Sequence, residues 1–243
     1  DSIRRKMKSK FDLYQLITPN IDDYAQYGMA SVYRYAQKHG YSYSVQRSQL
    51  VEDMHVNWTK IEMIRQALVS SVSEWIVLFD ADLILMNSEI SLDFFIEKVP
   101  SNIHILMPAD THFFKWRKPN AGFIMVRRSE EGIKIVNDWI SASRGEGSEL
   151  ANKHPRNQRI YWKYVMPKFY NNQQLISRKY CAKYHWFYRF IGHGIFAFHI
   201  TQSNIKTRSE IMKKLLLQNT KEERIEWVIA HLKSHGSGLL KLL

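Results

Sequence analysis

Hydrophobic and polar positions along this chain follow first one period and then another, and the switches mark out its elements. Residues 11 to 18, Phe-Asp-Leu-Tyr-Gln-Leu-Ile-Thr, read as a strand stopped by Pro19-Asn20. A helix follows, with Asp22 or Asp23 as its cap and Tyr24, Met29, Val32, Tyr33 and Ala36 as its apolar positions. His39-Gly40 closes it. Residues 41 to 46 read as a second strand. Residues 58 to 70 return to helical spacing, with Ile61, Ile64, Ala67 and Leu68 on one face. Ile76-Val77-Leu78-Phe79 is a short, continuous apolar run, the pattern of a strand buried on both faces. Further strands are expected at residues 103 to 107 and 122 to 126, and a helix at 130 to 141. Strands alternating with helices predict an α/β fold, a single Rossmann-like domain with a mostly parallel central sheet.

Past residue 145 the periodicity fades. Gly145-Glu146-Gly147-Ser148 reads as a loop, and beyond it aromatic and basic residues mix without a clean repeat. Residues 209 to 233 resume an amphipathic pattern of one or two helices, a C-terminal helical appendage ending in a flexible Gly236-Ser237-Gly238 tail.

Composition adds two constraints. The chain carries 45% hydrophobic residues in 243, enough for a sizeable core, and no apolar run long enough to span a bilayer. Its single cysteine, Cys181, excludes an internal disulfide framework. That cysteine usage and a first stretch unlike a signal peptide favour a cytoplasmic location, with the Golgi lumen as the alternative if an anchor precedes residue 1. The net charge of +12 is concentrated: no Asp or Glu occurs between Glu149 and Glu210, a stretch rich in Lys, Arg, Tyr and Trp. Such a field attracts phosphates, anionic lipids or nucleic acid, or is simply a solvated basic surface over an aromatic core.

The candidate chemistry sits at Asp80-Ala81-Asp82. Both carboxylates fall where the apolar run ends, and ligands of α/β sheets gather at the carboxyl ends of the strands. Alternation across one intervening residue turns both to the same side. Two hard oxygen donors suit Mn²⁺ or Mg²⁺, which would neutralise a leaving diphosphate of the kind released in sugar transfer from a nucleotide sugar. The bland alternative is a pair of loop carboxylates capping a neighbouring helix.

Trp58-Thr59-Lys60, Arg65, Ala67-Leu68, Glu74-Trp75-Ile76, Asp80-Ala81-Asp82 and Met86-Asn87 together resemble the galactosyl- and mannosyltransferase family of fungal and plant Golgi enzymes. Asn120-Ala121-Gly122-Phe123 and Phe198-His199 resemble that family's later motifs. The resemblance implies a GT-A-type glycosyltransferase over residues 1–208, with a donor half at about 11–130 and an acceptor half at about 145–208. Its donor would be a nucleotide sugar, a UDP-sugar in preference to a GDP-sugar, and the transfer would retain anomeric configuration. It implies metal ligation by Asp80, Asp82 and His199, with Asp80 also on the ribose. Thr18, Asn20 and Tyr24 would contact base and ribose, and Lys60 and Lys206 the diphosphate. Asp110 and the Asn120, Ala121 and Gly122 turn would lie near the transferred sugar. The family's late acidic residue before Gln corresponds to Asn171-Asn172-Gln173-Gln174, so Asn172 and Gln173 are implied at the reacting sugar. An amide there can hydrogen-bond a sugar but cannot act as a base. The family's Gly-Cys after the late His is replaced by Ile200-Thr201-Gln202-Ser203. On this reading the basic aromatic stretch meets a glycan or lipid-linked acceptor, or a membrane surface.

Two other readings compete. A haloacid-dehalogenase-like phosphohydrolase also ends an apolar strand in Asp-x-Asp, but it needs a later acidic cluster, and Asp93, Asp110 and Asp138 are isolated from one another in sequence. A nucleic-acid-binding module would use the basic aromatic stretch for stacking, yet no nucleic-acid motif is present and the two aspartates stay unexplained. No nucleic-acid partner is therefore expected.

Overall fold

The computed structural model describes residues 9–110, 118–184, 196–201, 204–218, 220, 223–224 and 226. The first elements follow the sequence pattern closely. Strand β1 (Phe11–Leu16) runs into a 3-10 turn at Pro19–Ile21 and helix α1 (Asp22–His39), which ends at Gly40 in the left-handed region, φ 68°. Asp22 and Asp23 sit in the first turn of α1, where their charge favours the positive end of the helix dipole, rather than capping it. Its buried side carries Tyr35, while Tyr33 is exposed. Then come β2 (Ser42–Gln46), α2 (Trp58–Ser70), β3 (Trp75–Phe79), β4 (Leu83–Leu85) and the short α3 (Asp93–Ile96). Next are β5 (Ile105–Pro108), β6 (Phe123–Arg127) and α4 (Glu130–Arg144), whose N-cap Ser129 accepts a hydrogen bond from the Gly132 amide.

The main sheet has the order β2-β1-β3-β6-β5-β7, with β7 at Gln173–Ile176. All of its strands run parallel except β6, which is antiparallel to both neighbours. The apolar run of β3 is buried from end to end, and alternation divides it between two cores. Ile76 and Leu78 face α2 and α4, whereas Trp75, Val77 and Phe79 face α1 and a second, smaller sheet. That second sheet has the order β4-β9-β8, with β8 at Cys181–Tyr184 and β9 at Ala197–Ile200.

The stretch with no clean period folds as short turns of helix: α5 (Ser148–Ala151), α6 (Asn157–Ile160) and a π-helical segment at Tyr161–Val165. Ser148 therefore begins a helix instead of closing a loop. Each piece is too short to show a helical repeat. What holds them is packing of Ala151, Ile160, Tyr161 and Val165 against Trp139 of α4. Helix α7 (Ile205–Leu217) starts four residues before the expected 209 and buries Ile211, Met212 and Leu215 against α1 and the second sheet. The expected Gly236-Ser237-Gly238 tail lies outside the described residues. Among the described residues no helix is long and apolar enough to cross a membrane.

Trp139 is fully buried, and its indole N–H donates to the Asn157 carbonyl at 2.8 Å, tying α4 to the start of α6. Trp139→Ala should lower the unfolding free energy by about 3–5 kcal/mol in urea titration. A loss under about 1 kcal/mol would mean that α6 is not anchored in this way.

Candidate functional site

Asp80 and Asp82 converge, but not through strand alternation. The chain leaves β3 in the main sheet, turns at 80–82 and enters β4 in the second sheet, with the Leu83 amide donating to the Asp80 carbonyl at 3.2 Å. The turn is held from several sides. The Asp80 amide donates to the Gly122 carbonyl at 2.8 Å, and buried Gln15, itself held by the Tyr43 hydroxyl, donates to the Asp80 carbonyl at 3.2 Å. Helix α1 presses on the turn at Gly28, where any Cβ would overlap the Ala81 carbonyl oxygen.

Strand register delivers the third group. β9 pairs antiparallel with β4 so that His199 lies opposite Leu83, and the Ile200 amide donates to the Asp82 carbonyl at 2.9 Å. His199 Nε2 consequently lies 2.9 Å from Asp82 Oδ1 and 3.6 Å from Asp80 Oδ2. One potential ligand atom from each of Asp80, Asp82 and His199 lies within 4.8 Å of the others. Gly122 makes room for the imidazole, because a Cβ there would overlap His199 Cε1 and Nδ1.

Cations surround the carboxylates. Lys60 Nζ, on the first turn of α2, is 2.6 Å from Asp80 Oδ1, and Arg208, on α7, is 3.5 Å from Asp82 Oδ2. Burial pushes the Asp82 carboxyl up. The opposing pull of His199, by charge and hydrogen bond, with Arg208 and Lys60, outweighs it and holds the group below the usual carboxylate range. Arg208 also lies over the Tyr24 ring at 4.6 Å. Burial and the Asp82 charge push the Tyr24 phenol up against the pull of Arg208.

These groups open onto a cleft of about 370 Å³. Of the residues expected from the sequence, Thr18, Asn20, Tyr24, Lys60, Asp80, Asp82, Asn120, Ala121, Gly122 and His199 all line it. Asp110 lies just behind the wall, buried, and accepts a hydrogen bond from Gln158 Nε2 at 3.1 Å. Lys206 is exposed and outside the lining. It sits about 200° around α7 from Arg208, at 100° per residue, and Arg208 is the residue that reaches the cleft.

Asn172 and Gln173 are held elsewhere. In the β5–β7 pairing Gln173 stands opposite Ile105 at the start of β5, whereas Asp110 follows its end. The two amides therefore lie at the amino ends of parallel strands, roughly 16 Å along the sheet from the site. Gln173 accepts from the Tyr161 hydroxyl and donates to the Met166 carbonyl; Asn172 donates to the Asn102 carbonyl. The Asn-Gln pair brought to the cleft is instead Asn157-Gln158. Gln158 bridges Asp110 and the Ala121 amide, which donates to its Oε1 at 2.9 Å. Both pairs stand in the same acid-free stretch, so residue type alone does not separate them.

The sequence profile of the galactosyl transferase GMA12/MNN10 family matches residues 20–189. Among solved structures, a glycosyltransferase involved in the glycosylation of the major capsid of PBCV-1 is similar at TM-score 0.65 and 17% identity, over 83% of this chain and 98% of its own. The glycosyltransferase GlyE of Streptococcus pneumoniae TIGR4 is similar at TM-score 0.59 and 12% identity, over 93% of this chain and 64% of its own. The galactosyltransferase LgtC, solved with donor and acceptor sugar analogues, gives TM-score 0.57 at 9% identity, over 88% of this chain and 99% of its own. At these identities the likeness is one of fold. No curated protein sequence matches the chain.

Gly122→Ala should displace the His199 ring and weaken Mn²⁺ binding by about 10-fold or more in calorimetry, with circular dichroism unchanged. Equal Mn²⁺ affinity in that variant would remove His199 from the candidate ligand set. With the family profile covering most of the chain and the fold shared with sugar-transferring enzymes, this protein belongs to the galactosyl transferase GMA12/MNN10 family and is a GT-A glycosyltransferase.

Proposed function

We propose that the enzyme moves a sugar from a nucleoside-diphosphate sugar, a UDP-sugar in preference to a GDP-sugar, to a glycan or lipid-linked acceptor, with retention of configuration. The observation that carries this reading is the meeting of Asp80, Asp82 and His199 in one cleft with Lys60 and Arg208. Two carboxylates and an imidazole fit a divalent cation, and the mixed oxygen and nitrogen set favours Mn²⁺ over Mg²⁺. When bound, such a cation neutralises charge on the departing diphosphate.

The remaining roles fall to the chain's own groups. Thr18, Asn20 and Tyr24, following β1, form the end of the cleft suited to base and ribose. Lys60 and Arg208 supply positive charge for the phosphates. Gln158, held from behind by Asp110, and the Asn120–Gly122 turn offer hydrogen-bonding groups for the hydroxyls of the transferred sugar. The acceptor, anionic or lipid-linked in this reading, would meet the basic stretch, where Lys153, Lys163, Arg178 and Lys179 are exposed. Peripheral contact with an anionic membrane belongs to the same proposal.

The phosphohydrolase reading has no support in this geometry. Asp93 pairs with Lys10, Asp138 with Lys168, and Asp110 with Gln158, so among the described residues no second acidic cluster faces the aspartates.

Asp82→Ala should abolish metal-dependent nucleotide-sugar binding in calorimetry while leaving circular dichroism unchanged. An unaltered affinity refutes the site assignment. A thermal-shift panel of UDP- and GDP-sugars with Mn²⁺ should name the donor, since ligand binding raises Tm by mass action.

A further inference from the structure

Among the described residues, Arg156 is the one non-glycine residue with positive φ, at φ 48° and ψ −118°. An L side chain is strained in this region by about 1–3 kcal/mol, and the position would suit glycine. The strain turns Arg156 into the lining of the cleft, two residues before Gln158. Its Nε is buried and has no hydrogen-bond partner, and no ion pair of the guanidinium occurs among the described residues. The other cations of the cleft stand differently: Lys60 is paired with Asp80, and Arg208 and His199 with Asp82.

A buried guanidinium nitrogen without an acceptor is costly unless something else supplies one. The backbone conformation opposes an arginine here. The charge is nevertheless kept in the same part of the cleft as Lys60: after burial, the fields of Arg156 and Lys60 are what hold the His55 imidazole below its ordinary range. Two cations converging beside a two-carboxylate metal site suit a ligand that carries several negative oxygens close together. A diphosphate offers them, and a planar guanidinium pairs with phosphate oxygens two at a time.

We propose that Arg156 is a substrate-binding residue that grips the diphosphate of the nucleotide-sugar donor from the cleft wall it lines. This rests on the nucleotide-sugar reading of the cleft. The strained backbone is then the means by which the guanidinium is held ready before the donor arrives, so that little is lost in ordering it on binding.

The test uses the whole chain with Mn²⁺ and calorimetric titration of UDP, GDP and uridine. Arg156→Gly removes the guanidinium and relieves the strained φ. It should weaken binding of the nucleoside diphosphate by about 10- to 100-fold and leave any uridine affinity unchanged. Its Tm should be equal to or above that of the parent, by up to a few degrees. Arg156→Lys should recover part of the lost affinity, because the charge returns without the fork. A purely structural arginine gives the reverse pattern: lower Tm on substitution and no selective loss for the diphosphate. That pattern, or equal UDP and GDP affinity in parent and Arg156→Gly, overturns the proposal while leaving the nucleotide-sugar reading standing. If the parent binds neither UDP nor GDP with Mn²⁺, that reading fails and the role of Arg156 fails with it.

Discussion

One imidazole nitrogen within reach of two carboxylates is the constraint on which the site depends. Asp80 and Asp82 belong to a single turn, but His199 arrives from a strand more than a hundred residues later. Its position follows from the β4–β9 register: a one-residue slip would send the ring to the opposite face of the small sheet. Two close approaches fix the remaining freedom. Gly28 lets α1 lie on the Ala81 carbonyl, and Gly122 leaves the space that the His199 ring fills. The aspartate turn is thus clamped between a helix, the main sheet and the small sheet, and it is the point where the chain passes from one sheet to the other.

Electrostatics decides whether such a clamp is tolerable. Two carboxylates with oxygens within 4.8 Å of each other repel by about 3 to 4 kcal/mol at the effective dielectric of a protein surface. Lys60 and Arg208 offset this repulsion by each facing one of the aspartates. Burial alone would drive the Asp82 carboxyl toward its neutral form, and the surrounding positive groups reverse the sign. Asp82 is therefore held in its charged form. The same side chains are part of the cleft wall, so the groups that stabilise the acids also set the field inside the cleft.

Packing gives the cleft its rigidity. The cores on the two faces of the main sheet and the third core beneath α7 share the strands that lead into the aspartate turn. Trp139 carries that rigidity outward to Asn157, and Gln158 carries it back to Asp110 and Ala121. Short helices with no pattern of their own thereby become one firm wall of the cleft.

How much of this the sequence determines depends on how local each feature is. Strand β3 and helix α2 are legible because burial on both faces leaves an unbroken apolar run in one and a one-sided apolar stripe in the other. The aspartate pair is legible because it ends such a run. The late His199 is legible only through likeness to a family. Arg208 and Asn157-Gln158 are not legible, since the first depends on the phase at which α7 packs and the second on the docking of α6 against Trp139. Local periodicity reports which face of an element meets the core. Tertiary structure alone decided which distant side chains share a cleft, because register and close backbone approach are relations between elements that no single stretch of chain contains.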